Sequence, residues 1–343
     1  MFSERAFLSP YIIAEIGVNH AGDIELAKKL IIDAAEGGAS CAKFQAYKAH
    51  MIAAKESPSY WDLKEEPTTS QYELFKKYDS FNLKEYKELA DLCSKSNIDF
   101  MVTAFDLDFC RELNELVNVH KIASADITNL PLLREIASYN KPVLFSCGAS
   151  TLEEIKNAKD ILLRNGAKDA IPLHCVLNYP TPPSNARLSF IQTLQESLKC
   201  EVGYSDHTIP TEDCLAQVLP TLFGCLILEK HFTHDKTLKG NDHYHAFDKS
   251  DLMHFKNILK KLKDLYGEKT IDNQYNQTLA IKNARRSLYF SRNLKEGTVI
   301  NKLDLVAKRP GEGVSPMLID DFIGKCLRND VKIDDLVKFS DFN

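Results

Sequence analysis

YIIAEIG, from Tyr11 to Gly17, is a short apolar run interrupted only by Glu15. A run apolar on both faces is what a buried parallel strand needs, because helices cover its outside and neighbouring strands fill its inside. The same texture returns in CAKFQAY from Cys41, IDFMVTAF from Ile98, HKIASAD from His120 and KPVLFSCG from Lys141. AIPLHCV from Ala170, CEVGYSDH from Cys200 and CLILEKHF from Cys225 bring the total to eight. Between these runs lie stretches of 3.6-residue periodicity. The first has Asp23 as its N-cap, Ala27, Leu30, Ile31 and Ala34 on one face, and Gly37-Gly38 as its stop. Thr151 to Glu154 reads as a capping box. The last stretch carries a stripe of Leu252, Phe255, Ile258, Leu259, Leu262 and Leu265. Eight such units predict an α/β chain with a (β/α)8 TIM barrel as catalytic domain over residues 1–266. The segment from Ala49 to Ser70 is too long for an ordinary connection and is expected to be a lid or substrate loop.

After Gly267 the texture changes. A polar linker assigned to residues 267–284, containing EKTIDNQYNQ, leads to short β-like pieces (SLYFSRN, VAKRP, LVKFS) that define a small second domain over 285–343. A module this short buries little of its surface and is expected to lean on another.

The 343 residues are 44% hydrophobic and carry a net charge of -5, with basic residues dispersed rather than striped. That distribution speaks against nucleic-acid and anionic-membrane binding, and leaves open a small anion held by a few local charges. Nine cysteines without C-x-x-C spacing fit neither a disulfide framework nor a zinc cluster, which points to a reducing compartment. The amino terminus lacks a signal pattern, and the most apolar stretch, Cys214 to Leu228, is too short to span a bilayer. A cytoplasmic protein is expected.

Barrel chemistry sits at the carboxyl ends of the strands. The residues falling there are Glu15 with Asn19 and His20, Lys43 with Gln45, Thr103, Lys121 with Ser124 and Asp126, and Ser146. His174 with Tyr179, Ser205-Asp206-His207 and Glu229-Lys230-His231 complete the set. A lysine is rarely buried without an anion, so Lys43 and Lys121 converging with Ser124, Ser146 and Ser205 suit a phosphate or a carboxylate. The bland alternative is two solvated lysines at the rim. His207 and His231 end neighbouring strands and can meet at one ion; two nitrogens completed by oxygens suit Mn2+ or Mg2+ rather than structural zinc. Asp206 is expected to orient His207. His243 and His245 are read as loop residues that touch substrate or, the stronger case, are solvated, and Cys147, with no activating base nearby in sequence, as a structural or substrate-shaping thiol.

AEIGVNHAGD at Ala14, KFQAY at Lys43, KIAS at Lys121, HCVLNYPTP at His174, GYSDHT at Gly203, EKHFTHDK at Glu229 and KRPGEG at Lys308 span nearly the whole chain. In that order they resemble the sialic acid synthase family, the phosphoenolpyruvate-dependent nonulosonate synthases. The resemblance implies a barrel followed by an antifreeze-like SAF domain of β-clip type, in a domain-swapped homodimer. It further implies that phosphoenolpyruvate meets an N-acyl amino sugar at this site. Lys43, Thr103, Lys121, Ser124, Ser146 and Ser205 would contact phosphoenolpyruvate, with Glu15 the essential carboxylate and His207 and His231 the metal ligands. Gln45, Tyr179, Asp242 and, where the family has glutamate, Asp126 would face the sugar. Arg309 would reach the partner's active site. Other departures are Val102-Thr103-Ala104-Phe105 for Ser-Thr-Pro-Phe and Ser146-Cys147-Gly148-Ala149 for Ser-Thr-Gly-Met. They leave the reaction class standing and bear on the choice of sugar. Two other classes compete: a Schiff-base pyruvate aldolase using Lys43 or Lys121, and a non-catalytic glycan- or ice-binding protein with a relic barrel.

Overall fold

The computed structural model describes residues 7–240, 242–267 and 277–343. Half of the stretch read as a linker, residues 268–276, and the first six residues lie outside the described residues. The chain divides into two compact units, Met1–Gly267 and Glu268–Asn343.

In the first unit eight parallel strands close into a barrel in sequence order. They are β1 (Tyr11–Gly17), β2 (Cys41–Ala46), β3 (Asp99–Ala104), β4 (His120–Ile122), β5 (Pro142–Ser146), β6 (Asp169–Cys175), β7 (Gly203–Asp206) and β8 (Ile227–His231). Alternation along each strand sorts the side chains. One face gives the large shell against the helices, including Ile12, Ile16, Phe44, Val102, Phe145 and Leu228. The other fills the barrel with Tyr11, Ile13, Cys41, Met101, Leu144, Ile171, Leu173 and Ile227. Gly203 marks how tight that filling is: a Cβ there would stand 2.3 Å from Leu173 Cδ2 and 3.0 Å from Ile227 Cβ. The interior is thus apolar below, and the same inward-facing rows turn polar one step higher, at Glu15, Lys43, Thr103, Lys121, Ser146, Ser205 and Glu229.

The helix boundaries follow local chemistry. Asp23 accepts hydrogen bonds from the Glu25 and Leu26 amides, and Gly38 takes the left-handed conformation, φ 91°, that closes helix Ile24–Gly37. Such an N-cap is worth about 1 kcal/mol. Thr151 and Glu154 form the expected capping box. In helix Lys249–Tyr266 the stripe buries Leu252, Phe255 and Leu259, whereas Leu265 is 84% exposed because the helix runs past the core. Among the described residues no helix is long and apolar enough to cross a membrane.

The second unit begins its described part with helix Thr278–Ala284, which buries none of its residues, where the sequence suggested only linker. A two-stranded antiparallel sheet follows, β9 (Ser287–Phe290) with β10 (Leu305–Lys308). Leu288, Phe290, Ile300, Leu305, Phe322, Leu327, Val337 and Phe342 give this unit its own core.

Candidate active site

Strand register places the polar ends side by side: Glu15 pairs with Lys43 and with His231, Gln45 with Thr103, Thr103 with Lys121, and Ser205 with Glu229. Their side chains make one buried network. Lys43 forms an ion pair with Glu15, donates to Thr103 Oγ1 at 3.1 Å and lies 3.7 Å from Glu229. Lys121 donates to Ser146 Oγ at 2.8 Å and lies 3.5 Å from Glu229. Ser205 donates to Glu229 at 2.8 Å, and Gln45 donates to Glu15 at 2.9 Å. Glu229 is the anion both lysines share, a role not singled out for it from the sequence. The signal was present: Glu229 and His231 are two apart on one strand and face the same side, while Lys230 faces the other.

Burial opposes every charge in this network, and the neighbours decide the outcome. Burial alone would lift the Glu229 pKa, but Lys121 and Lys43 bring it down to about 2. Burial pulls Lys43 down, and Glu15 and Glu229 outweigh it, so the net direction is up. For Lys121 burial prevails over the attraction of Glu229 and the direction is down. Glu229 Oε2 is buried without a hydrogen-bond partner among the described residues. Two lysines and two carboxylates cancel in formal charge, so the network has little surplus to offer an anion by itself.

Beside it stands a cluster of imidazoles. The ring centroids of His207 and His231 are 5.3 Å apart, and His245 lies 4.9 Å from His231 and 5.9 Å from His207. Tyr179 packs on His207 at 4.2 Å. His207 Nδ1 is 2.8 Å from the Val176 carbonyl, which can only accept, so Nδ1 carries the proton and Nε2 keeps a free lone pair. Burial lowers the pKa of all three histidines, His245 to about 2, which keeps them neutral and fit to ligate. His231 Nδ1 has no hydrogen-bond partner among the described residues. Nitrogen donors without partners, beside a carboxylate at Asp242, are what a divalent ion would use, so the residues present fit one. Burial, reinforced by Glu15, lifts the Asp242 pKa to about 6.

A cavity of about 810 Å3 opens above both groups. Lys43, Thr103, Lys121, Ser124, Asp126, Ser146, Tyr179, Ser205, His207, His231 and Asp242 all line it, as do Glu15 and Gln45. Its upper wall comes from the long segment after β2, through Met51, Tyr60 and Trp61, with Glu66 buried beneath. The indole of Trp61 donates to the carbonyls of Glu66 and Thr68, tying that segment to itself. Asp126 is held by Asn129 at 3.1 Å, and Ser124 accepts the Gly148 amide at 2.9 Å. Arg309 lies on the second unit, exposed, directly after β10.

One alternative falls away and two expectations change. The lysines are 3% exposed and ion-paired, so the solvated-rim reading fails. Asp206 makes its hydrogen bonds to Tyr204, Thr208, Gln217 and Lys230, and His207 is oriented instead by Val176. His245 is fully buried rather than solvated, and His243 is half-buried, 2.8 Å from Thr233 Oγ1. Cys147 is buried and its pKa is pushed up by desolvation, as suits an inert thiol.

The NeuB family profile matches residues 30–271, over the barrel, and the SAF domain profile matches residues 285–343. The chain belongs to the NeuB family. N,N'-diacetyllegionaminic acid synthase of Campylobacter jejuni is 38% identical over 95% of this chain and 98% of its own length. The Legionella pneumophila enzyme of the same name is 36% identical over 92% of this chain and 90% of its own. Among solved structures, the N-acetylneuraminic acid synthetase of Leptospira borgpetersenii in complex with citrate superposes with a TM-score of 0.68 at 34% identity, covering 80% of this chain and 90% of that one. This NeuB-family chain is therefore an enzyme of the nonulosonate synthase type, which sets aside the non-catalytic reading.

Proposed function

We propose that the protein condenses phosphoenolpyruvate with an open-chain 2-acylamino hexose to give a nine-carbon 2-keto sugar acid and phosphate. The observation that carries this is the buried Lys43–Glu15–Glu229–Lys121 network with its ring of hydroxyls at the cavity floor. Lys43 and Lys121 hold the phosphate and carboxylate, with Thr103, Ser124, Ser146 and Ser205 supplying further hydrogen bonds. Because the two glutamates already offset the lysines, a substrate carrying both a carboxylate and a phosphate needs added positive charge, and a divalent ion on His207 and His231, Mn2+ or Mg2+, provides it. When bound, that ion supplies Lewis acidity towards the sugar aldehyde. Gln45, Asp126, Tyr179 and Asp242 orient the sugar so that the methylene carbon of phosphoenolpyruvate faces the aldehyde carbon. Glu15, held by Gln45 and Lys43, positions and deprotonates the water that adds at carbon two, after which carbon–oxygen cleavage releases phosphate.

The two N,N'-diacetyllegionaminic acid synthases named above favour a diacetamido hexose as acceptor, and the cavity wall of Tyr47, Tyr60, Trp61, Phe75 and Tyr78 offers apolar surface to a second acyl methyl group. The free cysteines accord with a cytoplasmic enzyme. Phosphate release over a panel of mono- and diacetamido hexoses tests the reading. Activity is expected to be highest with a diacetamido sugar, with solvent oxygen-18 entering the keto acid. Solvent oxygen-18 in the phosphate after one turnover, or a borohydride-trapped pyruvate adduct on Lys43 or Lys121, would reject it.

In the homodimer that this reading includes, Arg309 completes the partner's site. Mixing Arg309→Ala with Lys43→Ala chains, at phosphoenolpyruvate levels far below the weakened affinity of Lys43→Ala, should then restore about a quarter of wild-type activity by statistical exchange. No recovery despite demonstrated exchange would remove that role.

A further inference from the structure

His245 has no part in the reading above, yet its surroundings are unusual for a histidine. It is 0% exposed, and among the described residues neither Nδ1 nor Nε2 has a hydrogen-bond partner. A neutral imidazole carries one donor and one acceptor, and a buried polar group left unpaired destabilises the fold. The chain nevertheless holds this ring firmly in place. The Phe247 amide donates to the His231 carbonyl at 2.8 Å and the Thr233 amide donates to the Phe247 carbonyl at 2.9 Å, so this segment runs parallel to the end of β8. Asn19 donates to the carbonyls of Phe232 and Asp242, and the Tyr244 hydroxyl donates to the Tyr179 carbonyl. The loop is thus pinned to β8 and to the loops after β1 and β6, with His245 turned inward.

What it turns towards is the donor set already described. One donor atom each from His231, Asp242 and His245 lie within 4.8 Å of one another, and His231 Nδ1 is 3.7 Å from Asp242 Oδ2. Bonds of about 2.0–2.2 Å place two ligands of one ion about 3–4.2 Å apart, so sub-ångström shifts let all three atoms share an ion. We propose that His245 is a third imidazole ligand at this centre, making with His231, Asp242 and the neighbouring His207 a nitrogen-rich site that selects a borderline transition-metal ion such as Co2+, Fe2+ or Zn2+ over Mg2+. Two imidazoles with oxygens would suit Mg2+ or Mn2+; a third imidazole moves the preference along the series towards ions that bind nitrogen well. This rests on the metal-dependent reading of the site and keeps its two histidines, but replaces Mg2+ as a candidate ion by one that binds nitrogen better.

The test uses the metal-stripped full-length protein and reads binding directly. Titration with Co2+ and with Mg2+, by calorimetry and visible absorption, compares wild type with His245→Gln and His231→Gln. Since loss of a group behind a ligand already costs 10- to 100-fold, removal of a ligand is expected to weaken Co2+ by about 100-fold or more. Mg2+ should weaken much less, and the Co2+ absorption bands should change. A packing role would lower both ions alike and leave the bands in place, and that result overturns the proposal. Wild-type Co2+ affinity and spectrum in His245→Gln, alongside loss in His231→Gln, would leave the two-histidine reading standing and remove His245 from it. Binding of neither ion by wild type would overturn both readings. X-ray absorption of the Co2+-loaded wild type needs no folded variant: three imidazoles are expected, and two would refute the inference.

Discussion

Strands β7 and β8 carry charge on both faces, and the two faces treat it differently. On the outward face Lys230 forms an ion pair with Asp206 and donates to the Thr208 carbonyl, while Asp206 also accepts from Tyr204, Thr208 and Gln217. Helix Leu215–Leu222, which supplies Gln217, covers the pair. One residue away on each strand, the inward face carries Ser205, His207, Glu229 and His231, where Glu229 Oε2 and His231 Nδ1 lack hydrogen-bond partners among the described residues and the cavity opens above. Both clusters are equally buried. A buried charge whose hydrogen bonds are complete holds the fold together; one left with unspent capacity is ready to take a ligand.

Four changes test that distinction. The largest effect is expected on the inward face, in Glu15→Gln, where losing a water-activating carboxylate should lower kcat by about 10²–10⁴-fold while the unfolding midpoint in urea moves less than in Lys230→Met, because Glu229 still faces Lys43. A loss of stability without a loss of rate would place Glu15 among the structural charges. The outward face should respond in the opposite sense: Lys230→Met leaves Asp206 buried and uncompensated, at a cost of about 3–5 kcal/mol in chemical denaturation. Adding Asp206→Asn should return part of that cost. If Lys230→Met instead spared stability and abolished activity of the folded fraction, the two faces would not be separate.

Acid should not reach Glu229 or Asp206, the paired carboxylates of the two clusters, first. Lys121 and Lys43 hold Glu229 at about 2 against burial, and Lys230 overcomes burial to hold Asp206 below its usual range. His20, stacked on Phe81, and His120, beside Asn114, are instead held neutral by burial with pKa values of about 4. Their folded values lie below the ordinary 6.5, so the unfolded chain takes up protons first. The stability they contribute is whole above pH 6.5 and lost as pH falls towards 4, up to about 3 kcal/mol each. Thermal unfolding of His120→Gln should show a shallower loss over that window; an unchanged slope would put the acid-sensitive groups elsewhere. The smallest effect is expected for Lys43→Ala, which removes one charge-assisted hydrogen bond and should weaken phosphoenolpyruvate about 10- to 150-fold by calorimetry. Unchanged affinity would mean that Lys43 serves only to neutralise Glu15 and Glu229.

The barrel, its eight strands and the polar rows at their carboxyl ends were legible in the sequence because each rests on local order. Apolar runs mark buried strands, Asp23 and Thr151 mark helix starts, and period-two alternation decides that Glu15, Lys43 and Ser205 share the interior. Pairing across strands was not legible in the same way. That Glu229 lies between Lys43 and Lys121 depends on barrel register, and that Asp206 answers Lys230 rather than His207 depends on which way adjacent residues point once β7 and β8 are paired. His245 is the clearest case. DHYHAF reads as a polar loop in one dimension, and only the hydrogen bonds from Phe247 and Thr233 along β8, with the anchors at Asn19 and Tyr179, carry that ring out of water. Local propensity and alternation act over a few residues and are written in the chain; the desolvation that turns a charge or an imidazole into part of a site comes from segments hundreds of residues apart and exists only once they meet.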